Sequence, residues 1–367
     1  MIEVPHRPNT HRHYRCQCNR PVFFDNSACL ACGTPLGYVV ETGEVTPLVS
    51  ESAPDSWRRY AEDTNDAALY YRCANFDSAA GCNWMISASD RAAEKKFCVA
   101  CRLNRTIPDL STADNAALWR RVELAKRRLV SSLLALGLPV RARCDEDPDQ
   151  GVMFDFLRAP IDGAAVMTGH INGLITLNIE EADDAKREKV RIAMHEPYRT
   201  LLGHLRHEIG HYYWDRLVAG TRWLADFREL FGDESRDYAT SLQQQYQSGP
   251  PEDWQQHYVS SYAASHPWED WAETWAHYLH MMDALETAWS FGMHVDATVP
   301  LVGKSGNPGD PYEEKVFDRL IQRWLPLCFA LNSLNRSMGH ADFYPFILSA
   351  DVVEKLRFIH GVCHGGA

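Results

Sequence analysis

Residues 197–217 read PYRTLLGHLRHEIGHYYWDRL. Apolar side chains recur at helical spacing through Leu202, Leu205, Ile209, Tyr212 and Tyr213, so the stretch predicts a helix, with Pro197 suited to its first turn. On that helix His207 and His211 stand four residues apart and share a face. Two imidazoles a turn apart can hold one metal ion, and Glu208 beside them can reach a water on it. The plainer alternative is a surface helix whose two histidines have no common task. A third ligand elsewhere in the chain decides between the two.

Residues 266–277, HPWEDWAETWAH, supply candidates for it. Pro267 is placed to start a helix whose apolar stripe runs through Trp268, Trp271, Trp275, Leu279 and Met282. Glu269 and Glu273 lie four apart beside that stripe. A carboxylate among aromatic rings is costly unless a charge or a metal offsets it. One of the two is therefore expected to complete a three-ligand site with a vacant corner for water, and the other to support a ligating histidine. Spacing leaves open which is which. Asp270 reads as solvated or capping, and His277 and His280 as structural or surface residues.

The chain has 11 cysteines, eight of them between residues 16 and 101. They form two sets of four: Cys16, Cys18, Cys29 and Cys32, then Cys73, Cys82, Cys98 and Cys101. A Cys-x-x-Cys turn sets two sulfurs at the ~3.5–4 Å separation that a tetrahedral ion with ~2.3 Å bonds needs. Gly33 suits such a turn. Each set is expected to hold a structural zinc, with iron in a rubredoxin-like site, or pairing across the sets, as alternatives. Four thiolates leave no open position, so these sites are not catalytic. With an odd count of cysteines and no apolar leader, metal rather than disulfide is the expected use, and the cytoplasm the expected compartment.

The fall in cysteine content marks an expected boundary at 108, dividing a β-rich, zinc-ribbon-like region (1–108) from a mainly helical domain with a small mixed sheet (109–367). The fold class is α+β. Residues 116–136 read as an amphipathic helix stopped by Gly137. Val152, Phe154 and Phe156 alternate as a strand, His170 to Gly173 resembles a turn, and Leu174 to Ile179 alternates again. Gly303 to Pro311 reads as a loop. The formal net charge of −12 argues against a general nucleic-acid binder. Arg7, Arg12, Arg15 and Arg20 form a basic arm that reads as solvated. The longest apolar run, 130–140, is too short to span a bilayer.

The HExxH at 207–211 followed by Glu269-x-x-x-Glu273 resembles the gluzincin branch of zincin metallopeptidases. Nearly the whole chain is similar to a bacterial family of zinc-binding metallopeptidases with an N-terminal zinc-ribbon region. Gly169-His170-x-x-Gly173-Leu174-Ile175-Thr176-Leu177-Asn178 and Glu269-Asp270-Trp271-Ala272-Glu273-Thr274 carry that resemblance. It implies a catalytic zinc on His207, His211 and Glu269, with Glu273 bonding a ligating histidine and Glu208 as general base. Tyr262, seven residues before Glu269, matches the tyrosine that supports the transition state in lethal-factor-like gluzincins. A core aromatic is its plainer reading, and Tyr258 and His266 are weaker competitors. Leu174 to Glu180 would be the edge strand to which a peptide adds, placing His170 and Asn178 against substrate. The expected activity is zinc-dependent hydrolysis of a peptide or protein, with three zinc ions per chain and a possible protein partner at the ribbon region. The alternatives are a zinc-ribbon adaptor with a non-proteolytic zincin domain, and a zinc amidase acting on a non-peptide amide.

Overall fold

The computed structural model describes residues 12–60, 68–159, 166–194, 196–293, 295 and 309–365. Arg7 of the basic arm and residues 303–308 of the expected loop lie outside them. The chain divides into two compact units, Met1–Arg187 and Glu188–Ala367.

The first unit carries the strands. A short hairpin, β1 (Tyr14–Arg15) and β2 (Pro21–Val22), is followed by an antiparallel meander of β3 (Leu36–Val39), β4 (Glu44–Ser50), β5 (Ser56–Arg59), β6 (Tyr70–Arg72) and β7 (Met85–Ser87). Val39, Leu48, Tyr70 and Met85 form its apolar centre, with Trp57 packed against them. Ser87 caps α1 (Ala88–Ala92) by accepting the Asp90 N–H. After β8 (Asn104–Thr106) comes α2 (Asn115–Ala135), which buries Leu118, Val122, Leu129 and Leu133 along one face. Gly137, in the left-handed region at φ +71°, ends it.

β9 (Met153–Leu157), β10 (Gly169–Ile171) and β11 (Leu174–Asn178) then build a mixed sheet in the order β10-β11-β9-β8. Phe154 and Phe156 on β9, and Ile175 and Leu177 on β11, are fully buried, as their alternation requires. Strand β8 pairs in parallel with β9. One expectation is corrected here: β11 is not an edge. Asn172 and Gly173 both take positive φ, the requirement of a tight hairpin turn, and fold β10 onto β11. With β9 on its other side, β11 has no free hydrogen-bonding edge for a peptide.

Among the described residues the second unit holds helices and no strand. They are α3 (Asp184–Ala193, which crosses the division), α4 (Leu201–Leu217), α5 (Leu224–Phe231), α6 (Tyr238–Ser248), α7 (Trp254–His257), α8 (Pro267–Ser290), α9 (Phe317–Ser337) and α10 (Ala350–Cys363). The fold is thus α+β, a β-rich cysteine region followed by a helical domain. Helix α4 starts at Leu201, four residues later than Pro197 would have it. Thr200 is extended and its hydroxyl accepts the Gly203 N–H at 3.0 Å, so Thr200 is the cap. Pro267 does open α8, behind His266, whose ring accepts the Trp268 N–H.

Helices α4 and α8 pack closely because Gly210 faces α8 without a side chain. A Cβ there would come within 3.2 Å of the Ala272 backbone and 3.1 Å of the Trp275 ring. The Trp271 indole N–H donates to the Gly210 carbonyl at 2.8 Å, and Tyr213 stacks on Trp275. Asp270 is neither solvated nor capping. It is fully buried and paired with Lys355 of α10 at 2.6 Å. His277 and His280 are structural: His277 bonds the Tyr344 hydroxyl and His280 bonds Arg206. Among the described residues no helix is long and apolar enough to cross a membrane.

We expect Gly210→Val to lower the unfolding free energy by about 1–3 kcal/mol through overpacking. Chemical denaturation measures it, and an unchanged midpoint would mean that α4 and α8 part at no cost.

Candidate metal centre

Adjacent turns of α4 bring His207 and His211 to one face, and the first turn of α8 brings Glu269 to the same point. His207 Nε2 and His211 Nε2 are 3.2 Å apart. Glu269 Oε2 lies 3.0 Å from the first and 3.6 Å from the second. A tetrahedral zinc with nitrogen and oxygen bonds of ~2.0–2.2 Å sets its ligands ~3.3–3.6 Å apart. The triangle's edges of 3.0, 3.2 and 3.6 Å lie within about 0.3 Å of that spacing.

Its chemistry matches as well. His207 Nδ1 lies 2.7 Å from Glu273 Oε1, an acceptor, so a proton sits on Nδ1 and, in the neutral ring, Nε2 presents a lone pair. Glu269 Oε2 is buried and takes no hydrogen bond. Electron pairs converging in a buried space repel unless a cation lies between them. Burial works against the charge on Glu269, but the imidazoles of His211 and His207 hold its pKa well below the usual carboxylate range. A divalent cation held at the triangle would take over that role.

Burial opposes the charge of Glu273, yet the bond to His207 prevails and pulls its pKa down to about 2. The other oxygen of Glu273 accepts from the Ser260 hydroxyl at 2.6 Å. Glu208 is buried with its Oε1 3.4 Å from His204 Nε2. Burial raises its pKa, but His204 and His207 outweigh that and keep it lowered, which leaves an ionised base beside the triangle. The Trp268 ring covers His211 at 3.9 Å between centroids, and the Tyr262 ring is 6.0 Å from that of His207. Burial, the Glu269 charge and the Tyr238 phenol raise the Tyr262 pKa, so its hydroxyl remains a donor.

The cysteines assemble in two clusters that follow the sequence sets, and neither mixes members of both. Sγ separations are 3.6 Å for Cys16–Cys32, 3.8 Å for Cys18–Cys29 and 3.7 Å for Cys82–Cys98. A tetrahedral zinc with ~2.3 Å bonds requires ~3.8 Å. Gly33, at φ +74°, donates its N–H to the Cys29 carbonyl and closes the first Cys-x-x-Cys turn. The clusters differ in setting. Cys18 and Cys32 are exposed, and the Thr34 hydroxyl and backbone bring the Cys32 thiol down to about 6. Cys73, Cys82, Cys98 and Cys101 are all buried, with Glu123 4.0 Å from Cys101 and Lys126 paired to Glu123.

His170 and Asn178 belong to the hairpin in the first unit. His170 Nε2 accepts the Gly173 N–H at 2.9 Å, and Asn178 Oδ1 accepts the Glu180 N–H at 3.0 Å. Each of these contacts is local to its own turn. Tyr258 lies over the Lys355 ammonium, and His266 is committed to capping α8 and to the Arg236 carbonyl. Sequence reading missed three residues of the site. His204 was findable, because it stands four residues before Glu208 on the same helix. Tyr238, whose hydroxyl donates to Glu269 Oε1 at 2.6 Å, and Ser260 carry no periodic signal.

Residues 115–362 match the family described as "Putative zinc-binding metallo-peptidase", and residues 13–112 match a zinc-ribbon domain. An uncharacterised protein of Mycobacterium bovis is 45% identical over 356 residues, covering 96% of this chain and 95% of its own. Uncharacterised proteins of two Mycobacterium tuberculosis strains align equally well. No solved structure gives a significant match.

His277 stands four residues beyond Glu273 on α8, and burial pushes its pKa down to about 4 from an ordinary 6.5. The folded state resists protonation that the unfolded chain accepts. Stability is therefore full above pH 6.5 and falls as the pH drops from 6.5 toward 4. Between pH 7.5 and 5 this ring should cost on the order of 2 kcal/mol. Urea unfolding at the two pH values, compared with His277→Asn, measures it, and equal slopes in both proteins would contradict it.

Proposed function

Because the chain belongs to the family of zinc-binding metallopeptidases and carries their zinc ribbon at its N-terminal side, we propose that it hydrolyses peptide bonds in a peptide or protein substrate at a zinc held by His207, His211 and Glu269. The observation that carries this reading is the triangle of two imidazole nitrogens and a hydrogen-bond-free carboxylate oxygen, whose edges suit a zinc ion. Zinc bound there supplies Lewis acidity, which polarises a carbonyl and acidifies a water.

The chain's own groups do the rest. Glu208, ionised and buried beside the triangle, accepts a proton from the attacking water and delivers it to the leaving nitrogen. Tyr262 donates its hydroxyl to the oxyanion. Glu273 fixes the tautomer and orientation of His207 and strengthens it as a ligand. Two further zinc ions, one in each cysteine cluster, stabilise the ribbon region, which offers a surface for a protein partner. An adaptor without turnover has no use for an ionised carboxylate kept beside the triangle, and this favours the enzyme over that alternative.

Glu208→Gln should keep the metal and lose hydrolysis of a fluorogenic peptide library by roughly 10²-fold or more. Hydrolysis that persists in this variant, or that survives a chelator in the parent protein, would defeat the proposal. The thiolate sites should also separate. A strong chelator is expected to strip the cluster with exposed Cys18 and Cys32 before the buried one, as followed by zinc release against time. Simultaneous loss from both would contradict their different burial.

A further inference from the structure

The two glutamates at the start of α8 have four carboxylate oxygens, and each has a polar group facing it. Glu273 Oε1 lies 2.7 Å from His207 Nδ1, and Glu273 Oε2 accepts the Ser260 hydroxyl at 2.6 Å. Both its oxygens are taken. Ser260 is itself held, since its Oγ accepts the Ala263 N–H at 3.1 Å. Glu269 differs. Its Oε1 accepts the Tyr238 hydroxyl at 2.6 Å, while its Oε2 faces the two imidazoles.

A carboxylate with both oxygens free can bind a metal ion through both, as it does in many calcium sites. At a catalytic zinc that second bond occupies space the water needs, because the site works with three protein ligands and an open position. A strong donor on one oxygen removes that option. The Tyr238 hydroxyl is such a donor, and its place is fixed independently of Glu269. Tyr238 is the first residue of α6, whose cap Asp237 accepts the Thr240 N–H at 2.7 Å. Its ring packs edge-on against His266 at 5.3 Å and Trp268 at 5.9 Å.

We propose that Tyr238 is a positioning residue that restricts Glu269 to one-oxygen coordination and so keeps the fourth corner of the metal centre open. This rests on the reading of His207, His211 and Glu269 as the metal site. Ser260 is the counterpart for Glu273: it occupies the oxygen left over after His207 and keeps that carboxylate out of the competition for the ion. Neither residue touches the reacting atoms. Each acts through a glutamate.

The test is Tyr238→Phe in the full-length protein, which removes one hydroxyl and leaves the ring packing in place. Dipicolinate removes the ion from the nitrogen/oxygen site, cobalt(II) replaces it, and the thiolate sites keep their zinc. Cobalt d–d bands are intense at four-coordinate centres and weaker at five-coordinate ones, so the spectrum reads coordination without any turnover. The parent protein is expected to show the four-coordinate spectrum and Tyr238→Phe the weaker one. Zinc affinity should fall about 10–100-fold in the variant, the range for a lost outer partner of a ligand. Identical spectra for the parent and Tyr238→Phe would overturn the role of Tyr238 while leaving the metal site standing. A parent protein that takes up no cobalt outside its thiolate sites would overturn the metal site itself.

Discussion

Two imidazole nitrogens and a carboxylate oxygen, 3.0–3.6 Å apart in a buried space, cannot present their electron pairs to one another without positive charge between them. The rest of the second unit is arranged to make this convergence hold. Helix α4 must offer both rings on one face and also let α8 approach near enough for Glu269 to reach them. Gly210, inside the HEIGH sequence, supplies the approach. It has no side chain where the backbone of Ala272 and the ring of Trp275 come in, and its carbonyl receives the Trp271 indole. The residue between the second histidine and the isoleucine of the motif thus works on packing, while its neighbours work on chemistry.

Charge organises the helices as much as apolar packing does. Helix α8 carries acids on faces that the interior covers, and four of them meet basic or hydroxyl groups there. Glu269 faces His207 and His211, Glu273 faces His207 and Ser260, Asp270 faces Lys355 of α10, and Asp283 faces Arg206 of α4. A buried acid without its partner is strongly destabilising, so these pairs set the register of α4, α8 and α10 more narrowly than a stripe of tryptophans would. Burial alone would push Asp270 further, and even with Lys355 beside it its pKa stands at about 7. The acids nearest the triangle are shifted the other way, because histidine rings surround them. The same helix therefore holds a carboxyl on the edge of protonation and, one residue away, one held firmly ionised.

Much of this was legible in the residues. The period of α2 and of α8, the alternation of β9 and β11, and the two cysteine sets are local signals, and local signals survive folding. The spacing of His207, His211, Glu269 and Glu273 also picked out residues that lie together in the structure, since the first pair shares one helix and the second pair another. What failed needed knowledge of a neighbour. Pro197 fits a first turn, but the Thr200 hydroxyl, free to bond the Gly203 N–H, starts the helix later. Leu174 to Asn178 reads as a strand and gives no hint that β10 will fold back and take its edge. Asp270 looks solvated until Lys355, 85 residues away in the chain, comes to meet it. Tyr238 and Ser260 lie in stretches without periodicity, and only the third dimension brings them to the glutamates.

Zinc-edge X-ray diffraction from crystals of the full chain tests the central claim most directly, because it locates each ion and its ligands at once. The account requires three anomalous peaks: one within each cysteine cluster, and one about 2 Å from His207 Nε2, His211 Nε2 and Glu269 Oε2. A protein saturated with zinc at its cysteines but showing no peak between those two rings and that carboxylate would contradict it.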